Sequence, residues 1–276
     1  MRISDTVITS RKNDRINFVC SLSEKKYRDK YGVFVLEGLK LLDEGVRRGA
    51  LIKTLFLSET AQKGEISGFI SRYEKQLSDD TEVFFVSREC FEKMSSEHAP
   101  DGILAVVEKK KPADKCPAKF VDFDGGALLL YALQDPGNLG TILRSAAAFG
   151  LTHFFLTSDC ADIYNLKTIR ASMGAIFSLE ITMISDAETF VTQLRGSGRR
   201  VFAAELREHA LPLHAFALKP TDCFIIGNEG HGIPPHLSAL CDSSVYIPVT
   251  NKVESLNAAT AASIIMWEMS KLNQGR

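Results

Sequence analysis

Between residues 127 and 248 five short and almost wholly apolar runs recur, at 127–133, 153–156, 200–204, 223–226 and 245–248. Segments with helical character, 139–149, 187–194, 234–241 and 255–272, lie among and after them. A strand that is apolar on both faces needs cover on both faces, so this alternation predicts a mostly parallel sheet with helices on either side. Ligands of such sheets bind beyond the carboxyl ends of the strands. The loops after residues 133, 226 and 248 are therefore the places to look for chemistry.

The run Lys109-Lys110-Lys111-Pro112-Ala113-Asp114-Lys115-Cys116-Pro117-Ala118-Lys119 has two prolines, five lysines and almost nothing to bury. It reads as an exposed, extended linker over 109–119, separating a first domain, 1–108, from a second, 120–276. The first domain alternates as well. Helices are expected at 10–31, 39–48 (closed by Gly49), 66–77 and 88–94, and strands at 33–36, 54–57, 83–86 and 103–107, which makes a smaller α/β domain.

Charge separates the two halves. The chain carries 33 Lys and Arg against 34 Asp and Glu, but residues 1–53 hold 12 against 7 and the remainder 21 against 27. A basic front end suits an anionic partner. No apolar run nears the roughly 18 residues of a membrane span, and the charged start Met1-Arg2-Ile3-Ser4-Asp5 predicts no signal peptide. The six cysteines, at 20, 90, 116, 160, 223 and 241, form no C-x-x-C pair. They read as reduced, mostly buried thiols of a cytoplasmic protein, with no metal site.

Three loops stand out. The first is Gln134-Asp135-Pro136-Gly137-Asn138-Leu139-Gly140-Thr141-Ile142-Leu143-Arg144, where Pro136 and Gly137 make a turn and Asn138 is placed to cap a helix. Arg144 sits in an otherwise apolar helix and needs either an anionic partner or a route to solvent. The second, Gly227-Asn228-Glu229-Gly230-His231-Gly232, lets backbone approach a ligand closely. It is neither a dinucleotide fingerprint nor a P-loop, and no G-x-S-x-G nucleophile elbow occurs in the chain. The third leads from Ile247-Pro248 to Glu254-Ser255-Leu256-Asn257-Ala258-Ala259, where small residues open the last helix.

Taken together, Asn138-x-Gly140-x-x-x-Arg144, Ile226-Gly227-Asn228-Glu229-Gly230-x-Gly232 and Ile247-Pro248 with Glu254-Ser255-Leu256-Asn257 closely resemble the SpoU, or TrmH-like, family of RNA ribose 2′-O-methyltransferases. Asn165-x-Lys167-x-x-Arg170-Ala171-Ser172-Met173-Gly174-Ala175 is similar to that family too, and the resemblance covers about residues 120–272. The first domain, with Val33-Phe34-Val35-Leu36-Glu37-Gly38 at its first expected strand, resembles the small RNA substrate-binding domain that many members carry.

The resemblance implies a SPOUT-type α/β fold with a deep trefoil knot, a homodimer and S-adenosylmethionine as cofactor. By position, Gly227, Ile247 and Leu256 would contact the cofactor. Asn138, Arg144, Glu229, Ser255 and Asn257 would form the catalytic set. Arg144 is either the base or, since a guanidinium holds its proton, a ligand for the phosphate and the developing alkoxide. Glu229 would manage the proton or hold Arg144, Asn138 would orient Arg144 or the ribose, and Ser255 and Asn257 would position the hydroxyl and the loops. Arg11, Lys12, Arg15, Lys25, Lys26 and Arg28 are expected to supply part of an RNA-binding surface. The implied substrate is ribosomal RNA. The alternatives are tRNA and, from another class, a non-catalytic RNA-binding ribosome-assembly factor.

Overall fold

The structure, a computed structural model, describes all residues except 60, 62, 78, 111–121, 251, 254 and 273–276, and leaves out the side chain of Lys63. All but Lys109 and Lys110 of the expected linker, and Glu254 of the third loop, therefore lie outside the described residues. The chain divides into two compact units, residues 1–111 with 164–170 and residues 112–163 with 171–276.

The first unit is built on a five-stranded sheet in the order β1-β4-β3-β5-β2, from β1 (Arg2–Ile8), β2 (Val33–Glu37), β3 (Ile52–Ser58), β4 (Glu82–Val86) and β5 (Ile103–Glu108). The helices are α1 (Asp14–Ser21), α2 (Lys25–Tyr31), α3 (Leu39–Arg47), α4 (Lys63–Tyr73) and α5 (Arg88–Met94). On one face Val33, Val35, Phe56, Phe84, Leu104 and Val106 pack with Ile16 and Val19 of α1 and Cys90 and Phe91 of α5. The edge strand β1 gives no sequence signal because it is polar and exposed along most of its length.

The single helix expected over 10–31 is two. Asn13 caps α1 through the backbone N–H of Arg15, and the chain breaks after Ser21. The carbonyls of Leu22 and Ser23 accept from the Arg28 guanidinium, each at 2.7 Å. An uninterrupted helix would commit those oxygens to its own ladder. Arg28 is consequently 3% exposed, which corrects its placement on an RNA-facing surface.

The second unit carries a seven-stranded, all-parallel sheet in the order β10-β12-β9-β11-β6-β7-β8. Its strands are β6 (Ala127–Leu130), β7 (His153–Thr157), β8 (Glu180–Ile184), β9 (Val201–Ala204), β10 (Leu211–Pro212), β11 (Cys223–Ile226) and β12 (Ser243–Tyr246). The remaining helices of the chain are α6 (Pro136–Phe149), α7 (Leu166–Ser172), α8 (Ala187–Gly196), α9 (Pro235–Ser238) and α10 (Ala258–Lys271). Ala127 and Leu129 of β6 pack in a core with Phe190, Val191 and Leu194 of α8, while Leu128 and Leu130 alternate to the other face and are buried there too.

The five expected strands are present and two edge strands join them. β8 is half exposed and β10 is two residues long, so neither shows as an apolar run. β6 ends at Leu130 rather than at 133, because the chain turns through Ala132 at φ +50°. The cap of α6 is Asp135, whose side chain accepts from the Asn138 N–H at 2.8 Å, with Pro136 in the first turn. Asn138 is thus inside the helix, and its amide is free for other work. Burial raises the thiol pKa of Cys223 to about 11 and of Cys241 to about 12, so both stay protonated and unreactive at neutral pH.

Candidate functional site

Strands β6 and β11 are parallel neighbours with Leu130 beside Ile226, and the Tyr131 N–H donates to the Ile226 carbonyl at 2.8 Å. The loops that follow them therefore leave the sheet together. The β11 loop closes on itself. Asn228 and Gly232 exchange backbone hydrogen bonds of 3.1 and 2.9 Å. The Asn228 Oδ1 accepts from the N–H groups of Gly230 and His231, and its Nδ2 donates to the Ala132 carbonyl at 2.7 Å. Gly227 is required by this closure: a Cβ there would collide with the Gly232 carbonyl carbon and stand 2.6 Å from its oxygen.

Glu229 projects from that loop onto the first turn of α6. Its carboxylate accepts from the backbone N–H groups of Gln134 (2.9 Å) and Asp135 (3.0 Å) and from the Asn138 Nδ2 (3.0 Å). The Asn138 Oδ1 in turn accepts from the Asn257 Nδ2 at 2.9 Å. Asn257 also caps α10, its Oδ1 accepting from the N–H groups of Ala259 and Thr260. Partial burial pushes the Glu229 pKa up, but the bonds from Asn138, Gln134 and Asp135 outweigh it, and the net shift is downward. Glu229 thus anchors the β11 loop to the start of α6 through three hydrogen bonds.

These groups border a cavity of about 940 Å³ lined by Gln134, Asn138, Gly227, Glu229, Ser255, Leu256, Asn257 and Ala261, among others. That volume falls within the roughly 300–1,000 Å³ of small-molecule sites. Its walls combine apolar surface from Ile226, Leu256, Ala258 and Ala261 with polar groups from Gln134, Asn138, Glu229 and Asn257. The residues present thus suit a ligand with an apolar ring and a polar tail. Glu205, just past β9, also lines it. The sequence reading missed Glu205, although its place one residue beyond an apolar strand was a usable signal.

Six of the eight expected catalytic and cofactor residues line this cavity: Asn138, Glu229, Ser255, Asn257, Gly227 and Leu256. Two do not. Ile247, just past β12, is half-buried outside the lining. Arg144 stands about 9 Å further along α6 than Asn138. It is exposed and makes no hydrogen bond or ion pair among the described residues. It took the route to solvent that its apolar helix left open.

On the first unit, Arg11, Lys12 and Lys25 are exposed, with side chains unpaired among the described residues. Lys26 pairs with Glu24 at 2.8 Å, and the Arg15 guanidinium lies 4.4 Å from the centroid of the Phe84 ring. Among the described residues no group of His, Cys, Asp or Glu could hold a metal ion, and no helix is long and apolar enough to cross a membrane.

Residues 126–267 match the SpoU rRNA Methylase family, and residues 13–105 match the MRM3-like substrate binding domain. The 23S rRNA guanosine 2′-O-methyltransferase RlmP of Bacillus subtilis is 29% identical over 95% of this chain and 98% of its own. An rRNA methyltransferase from Sinorhizobium meliloti, solved with AdoMet bound, has a TM-score of 0.82 at 25% identity, covering 98% of both chains. The SpoU methyltransferase AviRb from Streptomyces viridochromogenes in complex with AdoMet has a TM-score of 0.80 at 25% identity, covering 95% of this chain and 99% of its own.

Proposed function

We infer that this chain, which belongs to the SpoU rRNA Methylase family, is an S-adenosylmethionine-dependent RNA 2′-O-methyltransferase acting on ribosomal RNA. The observation that carries this reading is the convergence of Asn138, Glu229, Ser255 and Asn257 on the cavity that Gly227 and Leu256 also line. When bound, S-adenosylmethionine supplies an electrophilic methyl group on a sulfonium leaving group.

The protein's own task is alignment and proton handling. The cavity between the β11 loop and the start of α10 would hold the cofactor, with Leu256, Ala258 and Ala261 supplying apolar surface for its ring. Glu229 is held in its ionised form by three hydrogen bonds, two to Oε1 and one to Oε2, so it serves as an anchor rather than as the base. It fixes the Asn138 amide, which with Ser255 and Asn257 orients the ribose hydroxyl. Arg144, exposed and unpaired among the described residues, binds the phosphate next to the target ribose and stabilises the alkoxide as it develops, while the hydroxyl proton passes to solvent water as the methyl is transferred.

Homodimer formation, a trefoil-knotted second unit and a cytoplasmic location belong to the same reading. The seven-stranded parallel sheet and the SpoU neighbours support the knot. The match of residues 13–105 to a substrate binding domain supports RNA contact by the first unit, through Arg11, Lys12 and Lys25, whose side chains are unpaired among the described residues.

The test is radiolabelled methyl transfer from S-adenosylmethionine to ribosomal RNA of a deletion strain, with 2′-O-methyl sites mapped in that strain and its parent. One ribose methyl missing from the deletion strain and restored in vitro is the expected result. Transfer to tRNA alone would move the substrate, and no transfer to any RNA would leave the assembly-factor reading.

A further inference from the structure

A second cavity, of about 610 Å³, adjoins the first and is lined by Tyr131, Ala132, Gln134, Asn228, Glu229, Gly230, His231, Gly232 and Pro234. The two cavities share Gln134, Asn228, Glu229 and Gly232 as a common wall. Nothing in the methyl-transfer machinery uses Tyr131 or His231, yet both face this space.

Three polar groups around it lack partners among the described residues: the Tyr131 hydroxyl, the His231 imidazole and one end of the Gln134 amide. The Gln134 end can be identified. Its Nε2 lies 2.6 Å from the Asp159 carbonyl and 3.4 Å from the Ala132 carbonyl. Two acceptors there require the NH₂ end, so Oε1 is left as a fixed acceptor. His231 is held at the loop tip by its backbone bond to the Asn228 side chain. An apolar hollow with a few fixed polar groups is the ordinary form of a ligand site. An aromatic ring, an imidazole and an amide acceptor together are the groups with which proteins take up a splayed-out RNA base.

We propose that this second cavity receives the base of the nucleotide being methylated. Tyr131 offers a ring surface against the base, and Gln134 Oε1 and His231 hydrogen-bond to its edge. The shared wall then sets the attached ribose beside Glu229, Asn138 and the cofactor cavity. The proposal rests on the RNA methyltransferase reading and adds to it the source of nucleotide choice.

The experiment uses fragments of ribosomal RNA carrying the mapped target, with each of the four bases in turn at the methylated position. Wild-type protein and the variants Tyr131→Ala, Gln134→Ala and His231→Ala are compared for kcat and KM, and the S-adenosylhomocysteine affinity of the wild type, Tyr131→Ala and His231→Ala, whose side chains lie outside the first cavity, is measured by calorimetry. The wild type should prefer one base by roughly 10- to 100-fold. Each variant should flatten that preference, mainly through KM, while the S-adenosylhomocysteine affinity of Tyr131→Ala and His231→Ala stays within about twofold, which also shows that the fold is intact. Wild-type indifference to the base, variants that keep the wild-type ranking, or loss of cofactor affinity in step with activity would each overturn the proposal. If the wild type methylated no RNA ribose at all, the underlying reading would fall first and this inference with it.

Discussion

Glu229 is the residue on which the site turns, and its bonding decides its role. A carboxylate holding two backbone N–H groups and an amide N–H is stabilised in its ionised form, and the net downward shift of its pKa agrees. Because the folded-state value lies below the ordinary one, the loop organisation it provides is complete above about pH 4.3. That organisation is lost only as pH falls through the lowered value. Glu229→Gln should therefore reduce kcat/KM by about 10- to 100-fold, the worth of hydrogen bonds to a charged group. The reduction should be uniform from pH 6 to 8. Initial rates across that range check it, and a titration limb near neutrality that vanishes in the variant would restore Glu229 as the base. At Gly227 the constraint is steric. Gly227→Ala places a Cβ against the Gly232 carbonyl, backbone that cannot swing aside. Calorimetry should show at least a tenfold loss in S-adenosylhomocysteine affinity, with the remainder of the sheet still cooperative in thermal unfolding. The glycine was legible as a close-approach position, but the sequence could not reveal that the backbone approached is the loop's own rather than a ligand's.

At the scale of elements, the sequence was most informative where strands are buried on both faces and least where they are edges. β11 (Cys223–Ile226) is continuous apolar sequence and its bounds are those read from the residues. β1, β8 and β10 lie at edges, with one side or more open to water, so their residues need not be apolar. Helix starts were displaced for a related reason. Asp135 and Asn138 are both good caps, and only the fold shows that Asp135 takes the N–H while Asn138 turns to Glu229. Asn257 does both jobs at once, capping α10 through Oδ1 and donating to Asn138 through Nδ2. Its two tasks can be separated. Asn257→Asp keeps a cap oxygen but loses the donor, so the urea midpoint should stay close to wild type while activity falls about tenfold or more. Asn257→Ala should lose activity and also about 1 kcal/mol of stability, the usual worth of a cap. Equal destabilisation by the two variants would show that the contact to Asn138 matters for folding rather than for the site.

For the molecule as a whole, near-neutral composition conceals a basic front end, and RNA affinity rests on phosphate contacts. Sequence alone gave six candidate cations there with no means of ranking them, because pairing and burial are properties of the fold. Arg28 is spent on the carbonyls of Leu22 and Ser23, Lys26 is paired with Glu24, and Arg15 lies over Phe84. Arg11, Lys12 and Lys25 remain as exposed charges, unpaired among the described residues. Each phosphate contact contributes roughly 0.7 to 0.9 to the slope of log K against log salt. Replacing Arg11, Lys12 and Lys25 with Ala together should therefore flatten the slope for ribosomal RNA by about 2 to 3 and weaken binding at low salt far more than at high salt. Affinity for S-adenosylhomocysteine should not change. Arg28→Ala should do the reverse. Removing a buried guanidinium leaves two carbonyls without their donor and costs about 2–4 kcal/mol of stability in the first unit, with little change in the salt slope of the protein that remains folded. Filter binding across a salt series, read beside urea unfolding, separates the two kinds of residue. A slope unaltered by the triple substitution would place the phosphate contacts elsewhere on the chain.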